Sequence, residues 1–364
     1  MKNYSVPEKI LIFLDSFLGF EYKFKRQLAD YAENVNSVEQ FIEDIKEFVC
    51  STVGEKEYNT LKNSATEQYI ENLLLNLDKK GIKVTTYLSN DYPENLFQVE
   101  WPPLVLYYKG DIEVCKEELF AIVGSRKSLT VSLGVAERYA KELSNANFTL
   151  VTGIAEGVDA KVLTTALSNG GKVVSVIAGG LDNIYPKKHT ELIERVAENG
   201  LVLSEYPPEV SPKPFHFPVR NRIIAGLSKG VLIVSGGKTS GTLYTAEYAN
   251  DLSKDLFAIP YSVDVPSGAG CNDLIKKGAY LTDTPQDILD FYGVAVKKQK
   301  VSLTDNEREI VSALKDGSLH IEKISALLKK QVFEITPLLS VLEIKGIIAK
   351  SGNVYGLTRN DLED

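Results

Sequence analysis

Leu119-Phe120-Ala121-Ile122-Val123-Gly124-Ser125-Arg126-Lys127-Ser128 decides the fold. Five apolar residues stop at Gly-Ser-Arg, and an amphipathic stretch follows, Val131–Leu143, with Val135, Tyr139 and Leu143 four residues apart. A short apolar run bounded by a turn signal reads as a buried strand, and the four-residue spacing behind it reads as a helix. The pattern recurs on either side. Strand-like runs lie at Phe148–Val151, Lys172–Ala178, Leu201–Ser204, Val231–Ser235 and Asp255–Ile259, nearly all ending in Gly, Ser or Pro before the next helical stretch. Strands alternating with helices predict βαβ units, hence an α/β fold with a parallel sheet covered on both faces. In such sheets ligands bind at the carboxyl ends of the strands, where this chain keeps its unusual residues.

Outside residues 80–296 the pattern changes. Residues 1–79 show helical spacing without strand alternation (Ile10, Phe13, Leu14, Phe17; Phe41, Ile45, Phe48, Val49), with Ser37 as an N-cap before Val38–Val49. They predict a small helical domain. After a charged linker, Lys297-Lys298-Gln299-Lys300, Thr304-Asp305-Asn306-Glu307 reads as a capping box opening a helix through Leu314. Helices at Ile321–Leu328 and Val332–Lys345 and a hairpin, Ile347–Lys350 with Val354–Leu357, then predict a winged helix-turn-helix over residues 301–360.

Composition narrows the class of function. The 364 residues carry 41 Lys+Arg and 49 Asp+Glu, a net charge of −8, with 44% hydrophobic residues, which fits a folded, multi-domain chain. No apolar run approaches the roughly 18 residues of a membrane helix, and Asp15 cuts the N-terminal stretch Ile10–Leu14, so neither a membrane span nor a signal peptide is expected. Three isolated cysteines (Cys50, Cys115, Cys271) fit a reducing cytoplasm, and three scattered histidines offer no zinc spacing. No metal or cofactor is expected.

Three loops carry candidate chemistry. In Gly124-Ser125-Arg126, small residues allow close approach to a phosphate and Arg126 adds a fork of donors. Arg126 stands where a dinucleotide fingerprint needs its second glycine, which disfavours NAD. Ser235-Gly236-Gly237-Lys238-Thr239-Ser240-Gly241-Thr242 imitates the end of a Walker A loop, but the required first glycine is Leu232, so ATP hydrolysis is not expected. What remains there is either an anion cradle at a helix start, involving Ser240 and Gly241, or a flexible loop. Lys213-Pro214-Phe215-His216-Phe217-Pro218-Val219-Arg220-Asn221-Arg222 sets two aromatics before two arginines. Aromatic faces stack on bases while arginines meet phosphates, the combination used for single strands; equally, Phe215 and Phe217 would serve to anchor a loop in the core. Pro218 suits the first turn of a helix whose Ile223, Ile224 and Leu227 face inward. Tyr185-Pro186-Lys187-Lys188 adds cations at another strand end.

In order along the chain, these motifs resemble the DNA-processing protein A family (DprA, also called Smf). The resemblance runs from about Ile82 to Phe291. It includes Tyr92-Pro93, Gly157-Val158-Asp159, Gly179-Gly180-Leu181-Asp182 with Tyr185-Pro186, and the specific string Phe217-Pro218-Val219-Arg220-Asn221-Arg222-Ile223-Ile224-Ala225-Gly226. It implies an extended Rossmann-like core between a small helical, SAM-like N-terminal domain and a C-terminal winged helix. It also implies a cytoplasmic, non-enzymatic homodimer that binds single-stranded DNA and assists loading of the recombinase RecA during DNA uptake and recombination. By matching position, Arg126, Lys187, Arg220 and Arg222 fall in what resembles the family's positively charged DNA pocket and are expected to neutralise consecutive phosphates, with Lys213 near it but set off by Pro214. Together with Gly124, Ser125, Asn221, Ser240, Gly241 and the rings of Phe215 and Phe217, one of which is expected to stack a base, they form the expected DNA site. Three positions depart from the family pattern: Glu156 where a base is usual, Leu163 in place of a His, and Tyr261 in place of a Gly.

The rival expectation is an enzyme. Related folds with Gly-Gly-x-Gly-Thr loops hydrolyse the base–ribose bond of nucleotides, and Glu247 is the nearest acid to the 236–242 loop. Here three residues separate the Gly-Gly from the Gly-Thr, a departure from that pattern. The acidic total does not oppose DNA binding, because residues 1–79 alone carry −5. Of the five arginines in residues 80–296, Arg126, Arg220 and Arg222 sit at strand ends, and within a Debye length of about 8–10 Å a local cluster outweighs the total.

Overall fold

The computed structural model describes residues 2–17, 20–294 and 303–357. They fall into two compact units, the chain dividing between residues 295 and 296. The proposed linker, residues 297–300, lies outside the described residues, as do the ends of the expected 301–360 domain.

The first unit opens with six helices, α1 (Val6–Ser16), α2 (Tyr22–Ala32), α3 (Val38–Asp44), α4 (Lys46–Thr52), α5 (Glu55–Ser64) and α6 (Glu67–Lys79). Helix α1 starts at a capping box in which the Ser5 N–H donates to the Glu8 carboxylate (2.7 Å) and Ser5 Oγ accepts from the Glu8 N–H. The segment expected as one helix from Val38 to Val49 divides at Ile45, which is wholly buried.

Strands β1 (Lys83–Thr86) and β2 (Val105–Gly110) follow, then β3 (Leu119–Val123), α7 (Thr130–Asn145), β4 (Thr149–Thr152), α8 (Val158–Ser168), β5 (Val173–Val176), α9 (Thr190–Glu198) and β6 (Gly200–Ser204). After these come α10 (His216–Leu227), β7 (Gly230–Ile233), α11 (Thr242–Asp251), β8 (Asp255–Ala258), α12 (Ala269–Lys276), β9 (Tyr280–Leu281) and α13 (Pro285–Phe291). Nine strands form one sheet in the order β1-β2-β6-β5-β4-β3-β7-β8-β9. All neighbours are parallel except at one edge, where β1 pairs β2 and β2 pairs β6 antiparallel. The six strands read from the sequence are β3 to β8; the short β9, which also pairs parallel, and the antiparallel β1 and β2 were not read.

Side-chain alternation explains the two layers. Leu119, Ala121 and Val123 of β3 join a buried cluster with Ile223, Ile224 and Leu227 of α10 and Ala246 of α11. Phe120 points to the other face, its ring 5.7 Å from Phe148 and 6.0 Å from Phe257. The strand order reverses between β3 and β7. That reversal is a topological switch point, which leaves a crevice outside the carboxyl ends of the two strands.

The N-terminal helices and the sheet share one compact unit. Tyr107 of β2 donates to Asp15 Oδ2 (3.0 Å), Lys25 pairs with Asp15 Oδ1 (3.1 Å), and the Tyr22 hydroxyl donates to the Pro102 carbonyl (2.7 Å). Lys80, just beyond α6, pairs with Asp182 (2.6 Å) and Glu209 (2.9 Å), on loops leading to the crevice.

The second unit contains α14 (Asp305–Ala313), β10 (Leu319–His320), α15 (Ile321–Leu328), α16 (Val332–Ile344), β11 (Ile348–Ser351) and β12 (Val354–Leu357), with sheet order β10-β12-β11. Its capping box at Thr304 and Glu307 and its hairpin fall where the sequence predicts them. Strand β10, two residues long, is an addition the pattern did not announce. Among the described residues no helix is long and apolar enough to cross a membrane.

Candidate single-strand DNA site

Two loops frame the switch point, and a hydrogen bond links them: the Ser125 N–H after β3 donates to Ser235 Oγ after β7 (3.2 Å). The loop after β4 supports the first of these. Gly157 has φ +82°, and a Cβ there would lie 2.5 Å from the Ser125 carbonyl oxygen and 2.7 Å from that of Arg126. Only glycine lets the backbone pass this close in the left-handed region. Arg126 is thereby held at the rim, exposed, with its guanidinium carbon 4.4 Å from the centre of the Phe217 ring.

Phe217 comes from the first turn of α10, beside Tyr185, whose ring lies 6.0 Å away with the planes 73° apart. Tyr185 is 55% exposed, and Lys187, two residues on, is also exposed. Phe215 is 62% exposed, with Lys213 Nζ 5.8 Å from its ring centre. His216 between the aromatics is buried, stacked on Tyr206 at 4.2 Å, with Nδ1 3.3 Å from the Lys213 backbone nitrogen. Burial lowers its pKa below the ordinary histidine value.

Helix α10 differs from the expectation of two phosphate-facing arginines. Arg220 is 5% exposed. It donates to the Val176 carbonyl at the end of β5 and sits beside Asp159, since a Cβ on Gly153 would lie 2.7 Å from Arg220 Nη2 and 2.5 Å from Asp159 Oδ2. Burial pulls the Arg220 guanidinium down to about 10, against the pull of Asp159 and with the repulsion of Arg126, so it stays charged at neutral pH. Burial also pushes the Asp159 carboxyl up, opposed by Arg220 and by the Ala155 N–H, which donates to Oδ2 (3.1 Å). Arg222, 4% exposed, is turned further inward into a two-pronged pair with Glu205, Nη1 to Oε1 at 3.2 Å and Nη2 to Oε2 at 2.5 Å. Its charge is answered inside the protein. The reason is helical geometry: residues 220 and 222 stand about 200° apart around α10, so they serve different neighbours.

Asn221 bridges to the second loop, donating to the Gly241 carbonyl (3.3 Å) at the start of α11. Ser240 Oγ accepts from the Thr242 N–H (3.3 Å) and donates to Thr242 Oγ1 (3.0 Å), so its hydroxyl serves the helix start. The structure thus gathers Gly124, Ser125, Arg126, Phe217, Arg220, Asn221, Ser240 and Gly241 around one crevice, brings Lys187 to it through Tyr185, and sets Lys213 and Phe215 just before α10.

The departures from the family pattern also find places. Glu156 pairs with Lys188 (2.7 Å), and that bond holds its carboxyl below the ordinary range. Leu163 is core, and the Tyr261 hydroxyl donates to the Val234 carbonyl (2.7 Å). Sequence reasoning missed Asp159 as the companion of Arg220 and Glu205 as the counter-ion of Arg222. Asp159 lies in the Gly157-Val158-Asp159 motif and Glu205 directly after the strand Leu201–Ser204, but nothing local marks their direction.

Residues 83–293 match the model of the family described as DNA recombination-mediator protein A. The chain is 39% identical over 225 residues, 61% of its length and 79% of the relative's, to DNA processing protein DprA of Streptococcus pneumoniae. To DNA processing protein DprA of Bacillus subtilis it is 35% identical over 233 residues, 63% and 78% of the two chains. The solved structure of the S. pneumoniae protein superposes with a TM-score of 0.65 at 32% identity, covering 80% of this chain and 98% of that one. A structure of DNA processing protein A from Helicobacter pylori, described for its single-stranded DNA binding mode, gives 0.53 at 30% identity, covering 58% and 95%. A match over more than half the chain, on the strands and loops that build the crevice, places this protein in the DNA recombination-mediator protein A family.

Proposed function

We propose that the protein binds single-stranded DNA in the crevice at the β3–β7 switch point, without catalysing a reaction. The observation that carries this reading is the exposed Arg126 guanidinium braced on Phe217, with Tyr185 and Lys187 beside it and the buried charge of Arg220 behind it. Exposed cations meet phosphates while exposed rings meet unpaired bases. In this reading Arg126, Lys187 and Lys213 meet phosphates, the small residues Gly124 and Ser125 let the strand come close, Arg220 supplies field from the floor, and Arg222 braces α10. The names of the S. pneumoniae, B. subtilis and H. pylori relatives support it. Titration with single-stranded and duplex oligonucleotides at two salt concentrations tests it: tighter single-strand binding with a steep salt dependence is expected. Equal affinity for both, or none for either, overturns it.

Binding is preferred to base–ribose hydrolysis because Glu247 lies on the exposed side of α11 while Thr242, Thr245, Ala246 and Ala249 face inward. Release of free base from a nucleoside monophosphate, abolished by Glu247→Gln, would reverse that choice.

The pair of Glu156 with Lys188 makes a further prediction. Glu156→Gln frees an ammonium at the rim, so single-strand affinity rises about two- to fivefold and the salt slope steepens by up to about 0.7. Fluorescence anisotropy at several salt concentrations checks it, and unchanged affinity would mean that Lys188 lies off the strand's path.

In the finer reading the protein is a cytoplasmic homodimer that hands its strand to the recombinase RecA during DNA uptake and recombination. The open sheet edge supports dimerisation: β9 exposes Tyr280 and Leu281, with Phe291 packed 4.7 Å from Tyr280. We read the second unit as a winged helix used for protein contact. Helix α16 exposes Phe333 (76%) and Ile344 (86%) along with Glu334 and Glu343, a surface unsuited to duplex phosphates. Deleting residues 300–364 is therefore expected to leave single-strand affinity unchanged in the same titration, and loss of binding would make the second unit part of the site.

A further inference from the structure

The rings at the crevice are not equivalent. Phe217 is half-buried, and one of its faces carries the Arg126 guanidinium at 4.4 Å. A base stacking on that face would have to displace a cation from the ring quadrupole. The ring of Tyr185 stands 73° from that of Phe217. In such an edge-to-face pair at most one face of Tyr185 is used by Phe217, and the 55% exposure of the residue leaves the other open. The Tyr185 hydroxyl adds a polar tip, and Lys187 follows two residues later on the same loop, within reach of the phosphate next to a stacked base.

We propose that Tyr185 is the base-stacking platform of the crevice, and that Phe217 is a positioning residue that holds Arg126 against the backbone of the strand. This division of labour rests on the single-strand reading above and assigns the site a ligand class: a strand with at least one unstacked base beside the phosphate that Arg126 takes. A duplex, whose bases are stacked and paired, cannot offer that face. The exposed Phe215 lies on the Lys213 side, its ring edge-to-face with the buried His216 at 4.6 Å. Tyr185 acts through its ring face and neutralises no phosphate, so its contribution to binding is independent of counterion release. Phe217 acts through a cation, so its contribution follows salt.

The experiment uses the full chain, an oligothymidylate, and an abasic oligonucleotide of equal length, each titrated across a salt series. Tyr185→Ala is expected to weaken oligothymidylate binding about tenfold, as one lost base stack implies, with an unchanged salt slope and unchanged affinity for the abasic strand. Tyr185→Phe keeps the ring and is expected to restore most of the affinity that Tyr185→Ala loses, which separates stacking from loss of loop folding. Phe217→Leu keeps an apolar side chain but no ring face. It is expected to lower affinity for both strands alike and to flatten the salt slope toward that of Arg126→Ala. The proposal is overturned if Tyr185→Ala leaves oligothymidylate binding intact, if it weakens both strands equally, or if Phe217→Leu affects only the base-bearing strand. Wild-type protein that binds neither strand defeats the single-strand reading and the stacking proposal together. Wild-type binding that depends on Arg126 but is indifferent to Tyr185 defeats the stacking proposal alone.

Discussion

Arg126→Ala is expected to weaken single-stranded DNA binding about ten- to a hundredfold at low salt, the equivalent of one charge-assisted hydrogen-bond set to a phosphate at about 1.5–3 kcal/mol. The salt dependence should change with it. Each phosphate neutralised on a single strand contributes about 0.7 to the slope of log affinity against log salt, so the variant's slope should be shallower by about that amount. Folding is expected to be unaffected. Arg126 is exposed at the rim, and removing it relieves the buried Arg220 of a like charge. Titrations at four or more salt concentrations, with a thermal melt as control, check both parts. A variant whose affinity and slope match wild type would move the strand away from the loop after β3.

Arg222→Ala is expected to act on stability instead. Its guanidinium is 4% exposed and doubly bonded to Glu205, and that pairing raises its pKa above the ordinary value despite the opposing effect of burial. Removing one member of a buried pair strands the other's charge, at a cost of about 3–5 kcal/mol. Replacing both members with apolar residues of similar volume avoids that, so Arg222→Met with Glu205→Met should recover most of the loss. Urea unfolding of the single and double variants at neutral pH measures the difference. If Arg222→Ala were as stable as wild type yet bound DNA poorly, the side chain would be a strand ligand, as its place in the sequence suggests.

These two arginines show how far local sequence reaches. Arg126 lies in a Gly-Ser loop at a strand end and Arg222 in a helix that begins beside Phe217-Pro218, and both carry the same charge. The Gly124-Ser125-Arg126 loop was legible because a strand end followed by small residues has one common use. Arg222 was not, because a helix with arginines two apart gives no sign of which one meets a buried carboxylate. Lys188 and Glu156 make the same point on the surface: an acid in place of the expected base reads as a weakness in the pocket, while in the fold it draws a neighbouring lysine into an ion pair. At the edges of the sheet, β1 and β2 went unread because edge antiparallel strands mix polar and apolar residues, and their pairing is decided by what they lie against.

The sequence by itself determined the α/β alternation, six of the seven parallel strands, the capped helices on either side and the loops that frame the crevice. Those features follow from side-chain period and turn chemistry, which act over a few residues. Tertiary structure alone decided that the strand order reverses between β3 and β7, bringing the 124–128 and 235–242 loops together although more than a hundred residues separate them. It also sorted the charges. Arg126 stayed in water against Phe217, while Arg220 and Arg222 went beneath α10 to Asp159 and Glu205. An ion's worth depends on its dielectric surroundings and on the partner within a few ångströms, and both are properties of the packed chain.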